Sequence, residues 1–153
     1  TYAQQTKLVG VCFGHQILAH ALGGHAEKSE KGWGLGLRPV QINGHQTHHS
    51  WMSPTLPQGA FYYCHQDQVM RLPEGAERLA GNEFCPNGMF VIRNRVLGLQ
   101  AHPEFTNDVM QKAIAWLDQS TDLDHLDSAA ATLHHATADN PVMAQWIVNF
   151  LNQ

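Results

Sequence analysis

The sequence has few charged residues and no long hydrophobic run, and each absence excludes a class of protein. Only 14% of its 153 residues are charged, and the net charge of −4 provides no basic surface for non-specific binding to nucleic acid. No apolar run approaches the roughly 20 residues that span a membrane, and no signal peptide is visible. Nothing resembles a phosphate-binding loop. We therefore expect no nucleic-acid, membrane or cofactor binding.

Cysteine is scarce as well. Three cysteines, an odd number, cannot form a complete disulfide framework, and a reducing, cytoplasmic location is the natural expectation. Apolar residues make up 43% of the chain, which is enough for one globular domain with a hydrophobic core. No internal repeat or low-complexity tract divides residues 1–153, so we treat them as one domain.

The hydrophobic pattern alternates between strand and helix, which predicts an α/β fold. Residues 7–11 form a short apolar run typical of a buried strand. From Gly14 the apolar residues follow a helical period, which Gly23 and Gly24 end. Further strands are predicted at LRPVQI, AFYYCH, MFVIRN and VLGLQAH, with a turn at Asn94-Arg95 joining the last two. Further helices are predicted after Thr106 or Asn107, within 120–139, and after the cap at Asn140-Pro141.

Cys12 occupies the most informative position in the sequence. It lies between Gly10 and Gly14, after the first predicted strand and before the first predicted helix. This is the arrangement of a nucleophile elbow with Cys in place of Ser. The helix N-terminus favours a thiolate, and the backbone N–H of Phe13 can help to hold an oxyanion. The alternative is an ordinary buried cysteine in a glycine-rich turn.

A candidate base and its orienting carboxylate follow the last predicted strand. His102 and Glu104 are separated by one proline. Residues two apart at a strand end project to the same side, so the carboxylate can fix the tautomer of the imidazole. Together with Cys12 they supply the nucleophile, base and orienter of a catalytic triad.

These two segments carry a family resemblance. GVCFGHQ, followed far downstream by QAHPEF, resembles the class I (triad-type) glutamine amidotransferases, and in particular their GMP synthase-like group. Gly32-Trp33, HQDQV and LPEGA, which lie between the two segments, are similar to that group too. The resemblance implies an open, mostly parallel α/β sheet with flanking helices, the flavodoxin-like amidotransferase fold, with the nucleophile after a central strand.

The resemblance also implies a reaction and a substrate. Cys12 would attack the side-chain amide carbon of glutamine, His102 would protonate the departing ammonia, and water would release glutamate from the thioester. Gln16 and the loop that contains Gln66 and Asp67 match family positions that contact the substrate glutamine. A synthetase partner or another acceptor would receive the ammonia. No metal is implied.

The sequence departs from the family pattern before the elbow. Only eleven residues precede Cys12, where family domains have several strands and helices and a loop that donates a second oxyanion hydrogen bond. We therefore expect residues 1–153 to be the C-terminal portion of the domain and a poor glutaminase in isolation. A longer polypeptide, or an associating partner such as a second copy, would cover the sheet edge. The alternatives are a γ-glutamyl hydrolase of the same triad type and an inactive truncated domain.

Other candidate residues are interpreted as structural. The histidine-rich tract 44–49 has no cysteine or acidic residue at ligand spacing, so we expect an exposed loop and no metal site. Cys64 and Cys85 lack the context of Cys12 and are interpreted as half-buried thiols. Trp116 and Trp146 fit helical apolar patterns, which predicts that both lie in the core.

Overall fold

A computed structural model describes residues 6–44, 48–120 and 126–153, without the side chains of Ser120 and His135. The predicted strands and helices are present, and three further strands, β2, β5 and β6, were not predicted. In chain order the elements are β1 (Leu8–Val11), α1 (Phe13–Ala21), β2 (His25–Lys28), β3 (Gly34–Ile42), β4 (Gln58–His65), β5 (Asp67–Arg71), β6 (Ala76–Gly81), β7 (Met89–Ile92), β8 (Val96–Leu99), α2 (Asn107–Ser120), α3 (Leu126–His135) and α4 (Asn140–Leu151).

Six of these strands form one mixed sheet in the order β1-β8-β7-β6-β3-β4. The α/β class is confirmed, but among the described strands only the β1–β8 pair is parallel, so the sheet that they form is not mostly parallel. Strands such as β7 and β8 follow each other through short turns, which permit only antiparallel pairing, whereas parallel strands need a long crossover. β1 lies at one edge of the sheet as described, and Leu8 is 48% exposed there.

The predicted hairpin joins β7 to β8, with its turn one residue earlier than expected. Arg93 and Asn94 both have positive φ angles, 50° and 51°, and the N–H of Arg95 donates to the Ile92 carbonyl. Positive φ at both central residues is the geometry of a type I′ turn, whose twist matches that of the flanking strands. The hairpin reverses the chain, so that the segment after β8 leaves the sheet at the same end as the segment after β1.

A second, two-stranded sheet pairs β2 with β5 and fixes the segment that precedes β5. Asp67 at the start of β5 pairs with Lys28 at the end of β2. The N–H of Ser29 donates to the carbonyl of Gln66, which ties the same segment to the end of β2. Residues 65–67 are therefore held between the two sheets, beside α1.

Two hydrophobic clusters cover opposite faces of the main sheet. The first contains Met143, Trp146 and Phe150 of α4, and the second contains Met110, Ile114 and Leu117 of α2 together with residues of α3. The described helices include none with the length and apolar character needed to cross a membrane.

The two tryptophans have different environments. Trp146 is fully buried, as predicted, whereas the prediction for Trp116 is wrong because its side chain is 67% exposed. The buried stripe of α2 passes through Ile114 and Leu117. Trp116 precedes Leu117 by one residue, which rotates its side chain about 100° around the helix and away from the core.

Candidate active site

Cys12 lies in a strained turn between β1 and α1. Its φ and ψ are 50° and −104°, and its N–H donates to the Leu99 carbonyl of β8 at 2.7 Å. A Cβ at Gly10 would be only 2.4 Å from the Gly14 carbonyl oxygen, so glycine at position 10 allows the strand and the helix to approach closely. The tight, strained turn predicted at Cys12 is therefore present.

The sulfur of Cys12 is half-buried and has two hydrogen-bond contacts. It lies 3.9 Å from the Cys64 carbonyl oxygen, to which the thiol donates, and 3.7 Å from the Gln100 Nε2. Burial raises the pKa of Cys12 to about 11, although the Phe13 backbone N–H and Gln100 act to lower it. The Phe13 N–H at the helix N-terminus thus acts in the expected direction, but in this state loss of hydration outweighs the local donors.

His102 and Glu104 form the predicted pair. The Nδ1 of His102 lies 2.7 Å from the Glu104 carboxylate, and the imidazole stacks on Phe105 at 4.1 Å between ring centroids. The amide of Asn140 donates to the carbonyls of His102 and Phe105 at 2.8 and 2.9 Å, so the start of α4 holds this loop. Asp139 is therefore the residue before the helix, and Asn140 does not act as the predicted cap.

The second ring nitrogen of His102 is buried and has no hydrogen-bond partner among the described residues. The Cys12 sulfur therefore makes no hydrogen bond to this nitrogen, and it contacts Cys64 and Gln100 instead. With Nδ1 donating to a carboxylate, Nε2 is the nitrogen that is available to accept a proton. Catalytic hydrogen bonds often tighten only when substrate binds.

A cleft of about 300 Å³ opens beside the Cys12 sulfur. It is lined by Cys12, Gln16, Trp33, Cys64, His65, Gln66 and Asp67. The structure thus brings together the predicted nucleophile and all three predicted substrate contacts. The side chain of Phe13 is 67% exposed and lines a neighbouring cavity that shares Gln16 and Asp67 with the cleft, whereas its backbone N–H acts on the Cys12 sulfur.

Sequence reasoning missed Gln100, and it included His65 only as part of the His65–Asp67 loop, without its contacts. Gln16 donates to the Asp67 carbonyl at 2.7 Å and to Gln100 Oε1 at 3.3 Å, and the Nδ1 of His65 lies 2.9 Å from the same carbonyl. His65 and Gln100 are 4% and 0% exposed. A signal for Gln100 was present, because it precedes His102 by two residues in the predicted strand VLGLQAH, where alternate residues share a face.

Burial keeps two histidines near the cleft neutral. It lowers the pKa of His15 to about 3 and that of His65 to about 4. His15 is fully buried in α1 and packs against Phe90 at 5.1 Å between ring centroids. Its part in the GVCFGHQ segment is therefore to pack the helix onto the sheet.

The histidine-rich tract meets the expectation of an exposed loop only in part, because Gly44 and His48 are exposed and His49 is buried. Residues 45–47 lie outside the described part of the chain, but His49 is only 8% exposed, and its ring contacts Asn94 and Glu77 at 3.2 and 3.1 Å. Within the described ranges, no group of three or more histidine, cysteine, aspartate or glutamate side chains could hold a metal ion.

Comparisons with known proteins show which sequences and structures resemble this chain. Residues 1–117 match the family model described as Glutamine amidotransferase class-I. Gamma-glutamyl peptidase 5 of Arabidopsis thaliana is 32% identical over 152 residues, which cover 95% of this chain and 59% of that protein. The glutamine-hydrolyzing GMP synthase of Aquifex aeolicus is 32% identical over 113 residues, which cover 72% of this chain and 21% of that protein.

A solved structure is similar in fold. The crystal structure of a glutamine amidotransferase from Thermotoga maritima matches with a TM-score of 0.69 and 20% identity, over 95% of this chain and 62% of that one. The chain spans about three fifths of the length of gamma-glutamyl peptidases 5 and 3 of Arabidopsis thaliana, which each match 95% of it. On the match to the family model, this chain belongs to the class I glutamine amidotransferase family.

Proposed function

We propose that this chain hydrolyses the side-chain amide of glutamine to glutamate and ammonia through Cys12, His102 and Glu104. One observation carries the proposal. β1 and β8 are paired in parallel, with Val11 opposite Leu99. Cys12 and the segment that contains His102 therefore follow the carboxyl ends of two neighbouring strands. This parallel pairing supports the proposal that the strained nucleophile turn and the histidine–carboxylate pair serve one site.

The proposed reaction begins with proton transfer from the Cys12 thiol to Nε2 of His102, while Glu104 holds the proton on Nδ1. The thiolate attacks the amide carbon, and the Phe13 N–H donates to the oxygen that becomes negative. The imidazolium then protonates the departing ammonia, which leaves a γ-glutamyl thioester. Water, deprotonated by His102, releases glutamate and restores the thiol.

The cleft supports a role for Gln16, Gln66 and Asp67 in binding glutamine. In this role the carboxylate of Asp67 would pair with the substrate ammonium group, and the polar side chains of Gln16 and Gln66 line the same cleft. We propose that the ammonia passes to a synthetase partner, as the name of the glutamine-hydrolyzing GMP synthase suggests. The three free thiols favour a cytoplasmic location.

A second candidate reaction is hydrolysis of γ-glutamyl peptides. A cavity of about 450 Å³ adjoins the cleft and shares Trp33 and Gln66 with it. Leu35, Leu37 and Pro39 give that cavity an apolar wall. Such a space would suit the part of a γ-glutamyl substrate that lies beyond the glutamyl group, and a relative named gamma-glutamyl peptidase 5 matches 95% of the chain.

Turnover assays distinguish these candidates. The chain is incubated with glutamine and, separately, with γ-glutamyl dipeptides, and release of glutamate, ammonia and free amino acid is measured. We expect ammonia from glutamine, and none after Cys12→Ala. Cys85→Ala, which removes a buried thiol outside the cleft, should retain the activity of the folded protein. Preferential turnover of the dipeptides would favour the peptidase, and no turnover of either would favour the inactive domain.

A further inference from the structure

Gln100 follows β8 and is completely buried beside Cys12. Its backbone is fixed, because its N–H donates to the Gly88 carbonyl at 2.8 Å. The two ends of its side-chain amide face two residues of the candidate site. Oε1 lies 3.3 Å from Gln16 Nε2, and Nε2 lies 3.7 Å from the Cys12 sulfur.

The direction of these hydrogen bonds follows from the carbonyl of Asp67. A carbonyl oxygen can only accept, so the Gln16 atom 2.7 Å from it must be the NH₂ group. The same NH₂ group of Gln16 faces Gln100, so Gln16 donates to Gln100 as well, and Gln100 must present its oxygen to Gln16. The remaining end of the Gln100 amide, the NH₂ group, consequently faces the Cys12 sulfur as a donor.

On the proposed role of Cys12 as the nucleophile, we propose that Gln100 is a positioning residue that holds the Cys12 sulfur with an N–H donor and stabilises its thiolate. Gln16 keeps that donor in place, because its own amide is anchored on Asp67. The nucleophile is thereby linked to residues 65–67, the segment that lines the cleft. A thiolate accepts a hydrogen bond more strongly than a thiol, so the donor matters most when the sulfur is charged.

A purely structural role for Gln100 has different consequences. A buried amide can be required only for packing and for satisfying its own polar atoms. Its replacement would then change stability and leave the titration of Cys12 unchanged. In the proposed role, replacement lowers the thiolate fraction of Cys12 even in a protein that folds fully.

The test is the rate at which iodoacetamide alkylates Cys12, followed by peptide mapping between pH 7 and 10. Gln100→Met keeps the length of the side chain and removes the donor, and we expect the rate at pH 8 to fall roughly three- to tenfold, as for a rise in pKa of about 0.5–1 unit. Gln100→Glu places an anion beside the sulfur and should lower the rate further. Folding of each variant is checked by circular dichroism.

Two further variants separate the linked hydrogen bonds from general effects. Gln16→Met does not alter the group that faces the sulfur, yet it should lower the rate in the same direction, and adding it to Gln100→Met should cause little further loss. Gln68→Met is the matched control, since Gln68 is also a buried glutamine, 2% exposed, and its Nε2 has no hydrogen-bond partner among the described residues. The rate at which iodoacetamide alkylates Cys12 should be unchanged in Gln68→Met.

Unchanged alkylation in Gln100→Met and Gln16→Met, or an equal loss in Gln68→Met, would overturn the proposal. Alkylation does not require turnover, so the result is independent of the proposed glutaminase reaction. A chain without glutaminase activity that still shows the Gln100 effect would refute the function and retain the inference. An active chain without the Gln100 effect would retain the proposed function and refute the inference.

Discussion

A methyl group at Gly10 is the sharpest perturbation of the turn at Cys12. Its carbon would lie 2.4 Å from the Gly14 carbonyl oxygen and 2.6 Å from the Leu18 Cδ1. The first contact is with the backbone of α1, so it can be relieved only by moving the helix away from β1. We expect Gly10→Ala to cost about 1–3 kcal/mol of unfolding free energy, or about 2–12 °C in Tm for a domain of this size.

Gly14→Ala provides the matched control. A Cβ at Gly14 would meet no atom within 4 Å, and alanine is favoured over glycine in a helix by up to about 1 kcal/mol. Thermal unfolding followed by circular dichroism, together with alkylation of Cys12, compares the two variants. Gly10→Ala should lose both Tm and Cys12 reactivity, and Gly14→Ala should retain or raise its Tm. Equal Tm values would refute the argument that close approach of β1 and α1 shapes the turn.

Three further predictions concern the triad, the buried histidines and the tryptophans. Glu104→Gln keeps an oxygen near the His102 Nδ1 but removes the charge, so kcat should fall about 10²- to 10⁴-fold with little change in KM, as steady-state kinetics would measure; an unchanged kcat would exclude Glu104 from the triad. His15 and His65 are held neutral, with their pKa values lowered to about 3 and 4. The unfolded chain, in which the histidine pKa is about 6.5, therefore binds more protons than the folded chain at acid pH. The free energy of unfolding should be at its full value above about pH 6.5 and should decrease as the pH falls towards about 4. Urea unfolding at pH 7, 6 and 5 should show decreasing stability, with a smaller decrease in His65→Asn, and a flat profile would contradict the assignment. Trp146→Ala should lower the free energy of unfolding by about 3–5 kcal/mol because the side chain is fully buried. Trp116→Ala, whose side chain is 67% exposed, should change it by less than about 0.5 kcal/mol in the same assay. Comparable losses in the two variants would contradict the packing of α2.

The parts of the fold that the sequence predicts are those with a local cause. The turn at Cys12 follows from Gly10 and the switch from strand to helix period, and the β7–β8 hairpin follows from a turn between two apolar runs. The strands β2 and β6 were missed because HAEK and AERLAG are mixed polar segments. β2 becomes a strand by pairing with β5, and β6 by pairing with β3 and β7. β3 is distant in sequence from β6, and the β2–β5 and β6–β7 pairs are irregular in register, so no local pattern predicts β2 or β6.

The site shows the same limit. The pairing of His102 with Glu104 depends on residues two apart and was predictable. The raised pKa of Cys12 depends on how far the folded chain excludes water from the sulfur, which no local pattern reveals. The contacts of Gln100 with Gln16 and Cys12 join residues more than 80 positions apart, so only the folded structure could identify them.

The most direct test of the central claim is covalent labelling of the chain with a diazoketone analogue of glutamine, read by mass spectrometry of the peptides. The account predicts one adduct on Cys12, none on Cys64 or Cys85, protection by excess glutamine, and a large loss of labelling in His102→Ala. Labelling of Cys64 at the same rate, or labelling of Cys12 that glutamine does not slow, would contradict the assignment of Cys12 as a nucleophile that acts on the glutamine side chain.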